Sequence, residues 1–204
     1  MTIDELIKKA HAQAKSMGWW DEPRNTGELL MLIVSECGEA LEAHRNGRRA
    51  DMERVGERYA SFLETWTMCP PELIDELQTP DEFMMLLFRE HIKDTFEDEL
   101  ADIVIRIADL CGRHNIVPSC PPDGSGGANI STKNAGQDLL GVTKSVCQLF
   151  MYETDTVGDW NDCAGAALIG VFSMANEHNI DLWRHIELKL AYNLTRGRKH
   201  GKAY

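Results

Sequence analysis

Two pairs of carboxylates in this sequence have the residue types and the spacing of a metal site. Glu36 and Glu39 lie three residues apart in the run LLMLIVSECGEALEAHR, and Glu99 and Asp102 repeat that spacing in EDELADIVIRIADLCGRHN. Residues three apart leave the same face of an α-helix. Like charges so close together repel unless a cation lies between them, and hard divalent cations prefer oxygen ligands. The four acids therefore predict a Mg²⁺ site between two helices.

Apolar residues stand beside both acidic pairs. Leu32 shares the flank of the first pair, and Phe96 and Ile103 flank Glu99. A solvated helix face is the alternative interpretation, but such a face is not expected to be set among apolar side chains. Because substrate phosphates commonly complete the coordination shell of a protein-bound Mg²⁺, the pattern indicates phosphate chemistry on a helical scaffold.

The elements that must position these acids are helices. Apolar residues at helical spacing predict eight of them, over Ile3–Met17, Leu29–Arg45, Met52–Trp66, Phe83–His91, Glu97–Asn115, Ala135–Glu153, Cys163–His178 and Leu182–Leu194. Thr26 is expected to cap the second helix, and the fourth is expected to lead into the fifth without a break. Residues 47–90 are predicted to form an inserted helical segment that acts as a lid, a dimer contact or simple packing.

A Pro-, Gly- and Ser-rich stretch, VPSCPPDGSGGANISTKN, predicts a linker over residues 117–134. The second half, 135–204, resembles a degenerate copy of the first half, 1–116, because LLMLIVSEC at Leu29 aligns with LLGVTKSVC at Leu139. The acids are not retained, since Val146 aligns with Glu36. The sequence thus predicts one metal-binding half and one structural half, and leaves open whether the chain is a monomer or a homodimer.

Composition excludes several classes of protein. The 204 residues carry a net charge of −12, whereas sequence-independent binding to nucleic acid needs a cationic surface. The six cysteines form no C-x-x-C pair, so we expect reduced thiols, no zinc site and a cytoplasmic protein. No run is long enough to span a bilayer, and the amphipathic N-terminus lacks the apolar core of a signal peptide.

Adjacent tryptophans, Trp19 and Trp20, follow the first helix. One interpretation is that a ring closes the edge of the core. The other is that a ring stacks on a nucleobase, as aromatic side chains do in base recognition.

Taken together, these motifs resemble the MazG-like all-α nucleoside triphosphate pyrophosphohydrolases, a group related to dimeric dUTPases. The resemblance is carried by E-x-x-E at Glu36, E-x-x-D at Glu99 and K-x-x-x-N at Lys189. It extends to the runs KSMGWWDEPRNTGELLMLIVSECGEALEAHR, EHIKDTFEDELADIVIRIADLCGRHNI and LAYNLTRGRKHGK. One departure is that the two acidic motifs, which the family joins by a short hairpin, are separated here by residues 47–90.

The resemblance implies an all-α helical bundle that hydrolyses a nucleoside triphosphate to the monophosphate and pyrophosphate. It implies that Mg²⁺, or Mn²⁺ in its place, is held by Glu36, Glu39, Glu99 and Asp102. Glu36 and Glu39 would be catalytic residues, with Glu39 as general base towards the attacking water.

The same resemblance implies substrate contacts from the C-terminal helix. Lys189 would offer a charge to phosphate, and Asn193 an amide to phosphate or sugar. Arg196 and Lys199 are weaker candidates, with a solvated basic tail as the alternative. Arg106 is expected to form a structural salt bridge.

Two other functions remain in competition. The first is a non-catalytic nucleotide sensor or interaction protein that keeps the fold, which the degenerate second half makes conceivable. The second is a carboxylate-bridged di-iron bundle, but such sites use E-x-x-H pairs, and the sequence contains none.

Overall fold

Eight α-helices and no strand make up the part of the chain that the computed structural model describes, namely residues 1–70, 78–121, 123–124, 131–151 and 157–198. In chain order the helices are α1 (Ile3–Ser16), α2 (Thr26–Arg45), α3 (Met52–Thr67), α4 (Pro80–His91), α5 (Phe96–His114), α6 (Ala135–Met151), α7 (Val157–Glu177) and α8 (Leu182–Leu194). The all-α class is therefore confirmed.

Short polar side chains fix the helix starts. Thr2 and Thr79 form capping boxes with Glu5 and Glu82 at α1 and α4, which satisfies backbone donors that a helix leaves unpaired. The predicted cap of α2 was wrong by one residue. Asn25 is the N-cap, and its side chain accepts from the backbone N–H of Glu28 at 3.3 Å.

The prediction that α4 runs into α5 without a break was also wrong. The chain turns between Ile92 and Thr95, where Asp94 has a left-handed φ of 61°. Thr95 then starts α5, and its hydroxyl accepts from the backbone N–H of Asp98. Aspartate tolerates this backbone region better than most residues, so the turn needs neither glycine nor proline.

Helix α5 is the centre of the bundle and packs against α1, α2, α7 and α8. Its buried side chains Leu100 and Ile103 belong to one apolar cluster with Leu149 of α6 and Leu168 of α7. The cluster therefore joins residues from both sides of segment 117–134. The division into two halves by a repeat remains a prediction.

The inserted segment 47–90 packs against α8, although its residues 71–77 lie outside the described residues. Val55 of α3 and Phe88 of α4 form a second apolar cluster with Leu188 and Tyr192 of α8. Phe88 stacks on Tyr192 with ring centroids 4.6 Å apart. This packing fixes one side of the helix that carries Lys189.

None of the helices in the described ranges is long and apolar enough to cross a bilayer. All six cysteines are free thiols. Burial raises the pKa of Cys37 to about 11 and of Cys111 to about 12, as expected for cysteines that pack as small apolar residues.

Candidate metal centre

Packing of α2 on α5 brings the two acidic motifs together. Glu36, Glu99 and Asp102 each offer a carboxylate oxygen, and these oxygens all lie within 4.8 Å of one another. Glu36 is only 6% exposed and Glu99 only 4%. We call these three residues the carboxylate cluster.

Glu39, the fourth predicted ligand, lies outside the carboxylate cluster but lines the same cleft. Its side chain is exposed and accepts a hydrogen bond from the Ser35 hydroxyl at 3.2 Å. The second glutamate of the first motif therefore lies on the wall of the cleft rather than among the three clustered oxygens.

The electrostatics of the carboxylate cluster favour a cation. Burial, with the charge of Asp102 as the next cause, raises the pKa of Glu99 to about 8 and raises the pKa of Glu36 above its ordinary value. Crowded, desolvated carboxylates take up either protons or a cation. A set of three close oxygen donors fits Mg²⁺ or Mn²⁺.

Lys189 lies against this cluster as a buried cation. Its Nζ donates to Asp98 Oδ2 at 2.8 Å and lies 2.7 Å from Asp102 Oδ2. Although burial opposes the charged form, the carboxylates of Asp102 and Asp98 raise the pKa of Lys189 above its usual range. The predicted phosphate-binding lysine is thus held by two acids.

Asp98 is a residue of this centre that the motifs did not reveal. Its Oδ2 accepts from Lys189 and from the backbone N–H of Asp94 at 3.0 Å. Its buried Oδ1 has no hydrogen-bond partner within the ranges that the structure describes. Burial raises the pKa of Asp98 to about 6. Oxygens of Asp94, Asp98 and Glu99 also lie close together. Because Asp98 precedes Glu99 within an acidic run, no spacing pattern distinguishes it.

Arg106 forms the expected salt bridge, but across helices. Its Nε donates to Glu36 Oε1 at 2.6 Å. Glu36 of α2 and Asp102 of α5 are therefore each paired with a basic side chain from a different helix.

A cleft of about 290 Å³ extends from the carboxylate cluster. Of the predicted substrate-binding residues, Lys189, Asn193, Arg196 and Trp19 line it. Lys199 lies outside the described residues. Further basic side chains on the cleft are Arg24, Lys93 and Arg106. Acidic and basic groups in one cleft suit a metal ion together with a polyphosphate.

The two tryptophans have different surroundings. Trp20 packs against the core, and its indole N–H donates to Asp109 Oδ1 at 2.9 Å. Trp19 lines the cleft, with the guanidinium carbon of Arg24 5.8 Å from its ring centroid. The packing interpretation therefore describes Trp20, and stacking of a base on Trp19 stays a prediction.

Among the residues that the structure describes, two polar side chains on the cleft have solvent-shielded atoms without a hydrogen-bond partner. They are the Nε and Nη2 nitrogens of Arg24 and the Oδ1 oxygen of Asn193. Buried polar atoms are usually paired, so these atoms are candidates for ligand contact. Burial and the charge of Arg106 lower the pKa of Arg24.

No family model matches the chain, no curated protein matches its sequence, and no solved structure matches it.

Proposed function

We propose that this protein is a Mg²⁺-dependent nucleoside triphosphate pyrophosphohydrolase with a MazG-like all-α fold. The observation that carries the proposal is the carboxylate cluster, in which acids of two separate motifs converge beside a cleft with basic side chains. The reaction consumes one water and one nucleoside triphosphate. It yields the monophosphate and pyrophosphate.

Glu36, Glu99 and Asp102 would hold the metal, with Glu39 at the open side of the cleft. When bound, Mg²⁺ or Mn²⁺ would supply Lewis-acid stabilisation of the charge on the phosphoryl oxygens. The burial of Glu99 beside Glu36 and Asp102 supports this role, because buried carboxylates without a cation are disfavoured.

Glu39 is the proposed general base. It is exposed to the cleft, and the Ser35 hydroxyl orients its carboxylate. It would take a proton from the water whose oxygen forms a bond to the α-phosphorus. The bond between the α-phosphorus and the α–β bridging oxygen then breaks, and pyrophosphate leaves with that oxygen.

Lys189 and Asn193 would bind the substrate from α8. They lie one helical turn apart, so both face the cleft. Lys189 carries a positive charge that its contacts with Asp98 and Asp102 sustain in a buried position. Asn193 offers an amide oxygen that has no hydrogen-bond partner among the described residues.

The experiment that tests the proposal measures products from canonical and modified nucleoside triphosphates. The protein is incubated with each nucleotide in Mg²⁺ and, in parallel, in EDTA. Release of pyrophosphate and monophosphate in equal amounts, in Mg²⁺ alone, is the expected result. Release of inorganic phosphate and diphosphate instead would contradict attack at the α-phosphorus.

A non-catalytic nucleotide sensor is the second candidate, and one observation favours it. Glu36 is already paired with Arg106, and Asp102 with Lys189, so protein cations neutralise part of the cluster. A sensor would bind nucleotide without releasing pyrophosphate in Mg²⁺, whereas the enzyme would release it.

A further inference from the structure

The end of the cleft away from the carboxylate cluster has a different chemistry. Asp109 lies ten residues after Glu99 on α5, which is about 15 Å along the helix. Arg24 lies close enough to Arg106 and Asp109 to interact with their charges, and it lines the cleft together with Trp19 and Ala10 of α1. We call these four residues, Ala10, Trp19, Arg24 and Asp109, the aromatic end of the cleft. This end of the cleft therefore combines one aromatic residue with two charged side chains.

Arg24 presents an unused pair of donors at this end. Its Nε and Nη2 are neighbouring nitrogens on one edge of the guanidinium plane, and neither has a hydrogen-bond partner in the described part of the chain. Asp109 attracts the charge of Arg24 but does not accept from these two nitrogens. Its carboxylate accepts from the Trp20 indole and lies 2.8 Å from His11 Nδ1. Buried donors without partners are costly, so a ligand with two adjacent acceptors would relieve this cost.

We propose that Arg24 and Trp19 form a nucleobase subsite that selects 6-oxopurines, the guanine and hypoxanthine class. This inference rests on the proposed function, since it names the substrate of the same cleft. The O6 and N7 atoms of such a base are adjacent acceptors that match the two donors of one guanidinium edge. Adenine places an amino donor where O6 would be, and thymine a methyl group beside O4.

In this orientation a nucleotide would lie along α5. The base would stack on the Trp19 ring, while its phosphates extend along α5 towards the carboxylate cluster. Both Arg24 nitrogens are shielded from solvent in the free protein, so a base would reach them only if the segment 17–25 that carries Arg24 moved.

The test compares kcat/KM for dGTP, dITP, 7-deaza-dGTP and dATP in Mg²⁺. The wild-type protein is expected to prefer dGTP and dITP over dATP by about 10- to 100-fold, and 7-deaza-dGTP, which lacks N7, should lose part of the preference. Arg24→Lys should bring the kcat/KM ratio of dGTP to dATP close to one, because a single ammonium group cannot donate to O6 and N7 as a guanidinium edge does. Arg113→Lys is the matched control, because Arg113 lies over Trp20 and should keep the preference.

Two results would overturn the proposal. One is an equal kcat/KM of the wild-type protein for all four nucleotides, which can be measured without any variant. The other is an equal loss on every substrate in a folded Arg24→Lys protein, which would make Arg24 a phosphate contact.

If the protein hydrolyses none of the four nucleotides, the proposed function is refuted. The subsite can still be tested by measuring the binding of dIMP and dAMP by calorimetry. A preference for dIMP that Arg24→Lys removes would support the subsite, and equal or absent binding would refute it.

Discussion

Replacing Lys189 by methionine should destabilise the protein strongly, because it leaves two buried acids without their cation. Lys189 Nζ lies 2.8 Å from Asp98 and 2.7 Å from Asp102. The side chain of Asp98 is fully buried and that of Lys189 is 6% exposed. Removing one partner of a buried ion pair costs about 3–5 kcal/mol. Methionine keeps much of the apolar stem, so most of the loss comes from charge.

The loss should depend on pH. Burial raises the pKa of Asp98 to about 6 in the folded protein, above the value of about 3.9 for an unfolded chain. As the pH falls, Asp98 is therefore protonated at a higher pH in the folded protein than in the unfolded chain. Without Lys189 the charged form of Asp98 is even less stable in the folded protein, so its protonation restores more of the lost stability. We expect the difference in free energy of unfolding between Lys189→Met and wild type to be larger at pH 8 than at pH 5.

The assay is urea unfolding followed by circular dichroism, in EDTA, at both pH values. Lys9→Met, a matched change at an exposed position of α1, should alter the free energy of unfolding by no more than about 0.5 kcal/mol. A Lys189→Met protein within about 1 kcal/mol of wild type at pH 8 would refute the reasoning, as would a loss of equal size at both pH values.

Three further predictions concern packing, thiols and acid stability. A Cβ on Gly165 would lie 2.5 Å from the Ser119 carbonyl oxygen. Gly165→Ala should therefore lower the free energy of unfolding by about 1–3 kcal/mol in the same urea assay. An unchanged urea midpoint would contradict this close approach. Iodoacetamide should label exposed Cys147 well before buried Cys37, as mass spectrometry can follow; equal rates would contradict the packing. Burial lowers the pKa of His185 in the folded protein, so this histidine is protonated at a higher pH in the unfolded chain. The melting temperature should therefore fall as the pH drops below about 6.5. His185→Gln should make this fall smaller.

Local patterns were sufficient to predict the two helices that carry the acids. The apolar spacing of α2 and α5 and the i, i+3 acids are properties of a single helix, and both helices were found within a few residues of their predicted ends. The turn at Asp94 was missed because an aspartate in a left-handed conformation leaves no glycine or proline in the sequence.

Contacts between distant residues could not be predicted in the same way. Asp98 and Lys189 are 91 residues apart, and Glu36 and Arg106 are 70 apart, so only the packing of helices brings them together. Arg24 is a single arginine in a connection between helices, where no periodicity marks it. Its missing partners become visible only when the surrounding atoms are in place.

The measurement that tests the account most directly is the rate of pyrophosphate release by Glu36→Gln in Mg²⁺. Glu36→Gln keeps the size of the side chain and removes one charge from the carboxylate cluster. Glu42→Gln makes the same change at an exposed position of the same helix. With both variants folded, Glu36→Gln should slow turnover by about 100-fold or more, and Glu42→Gln should leave it unchanged. Full turnover by Glu36→Gln would contradict a catalytic role for the carboxylate cluster.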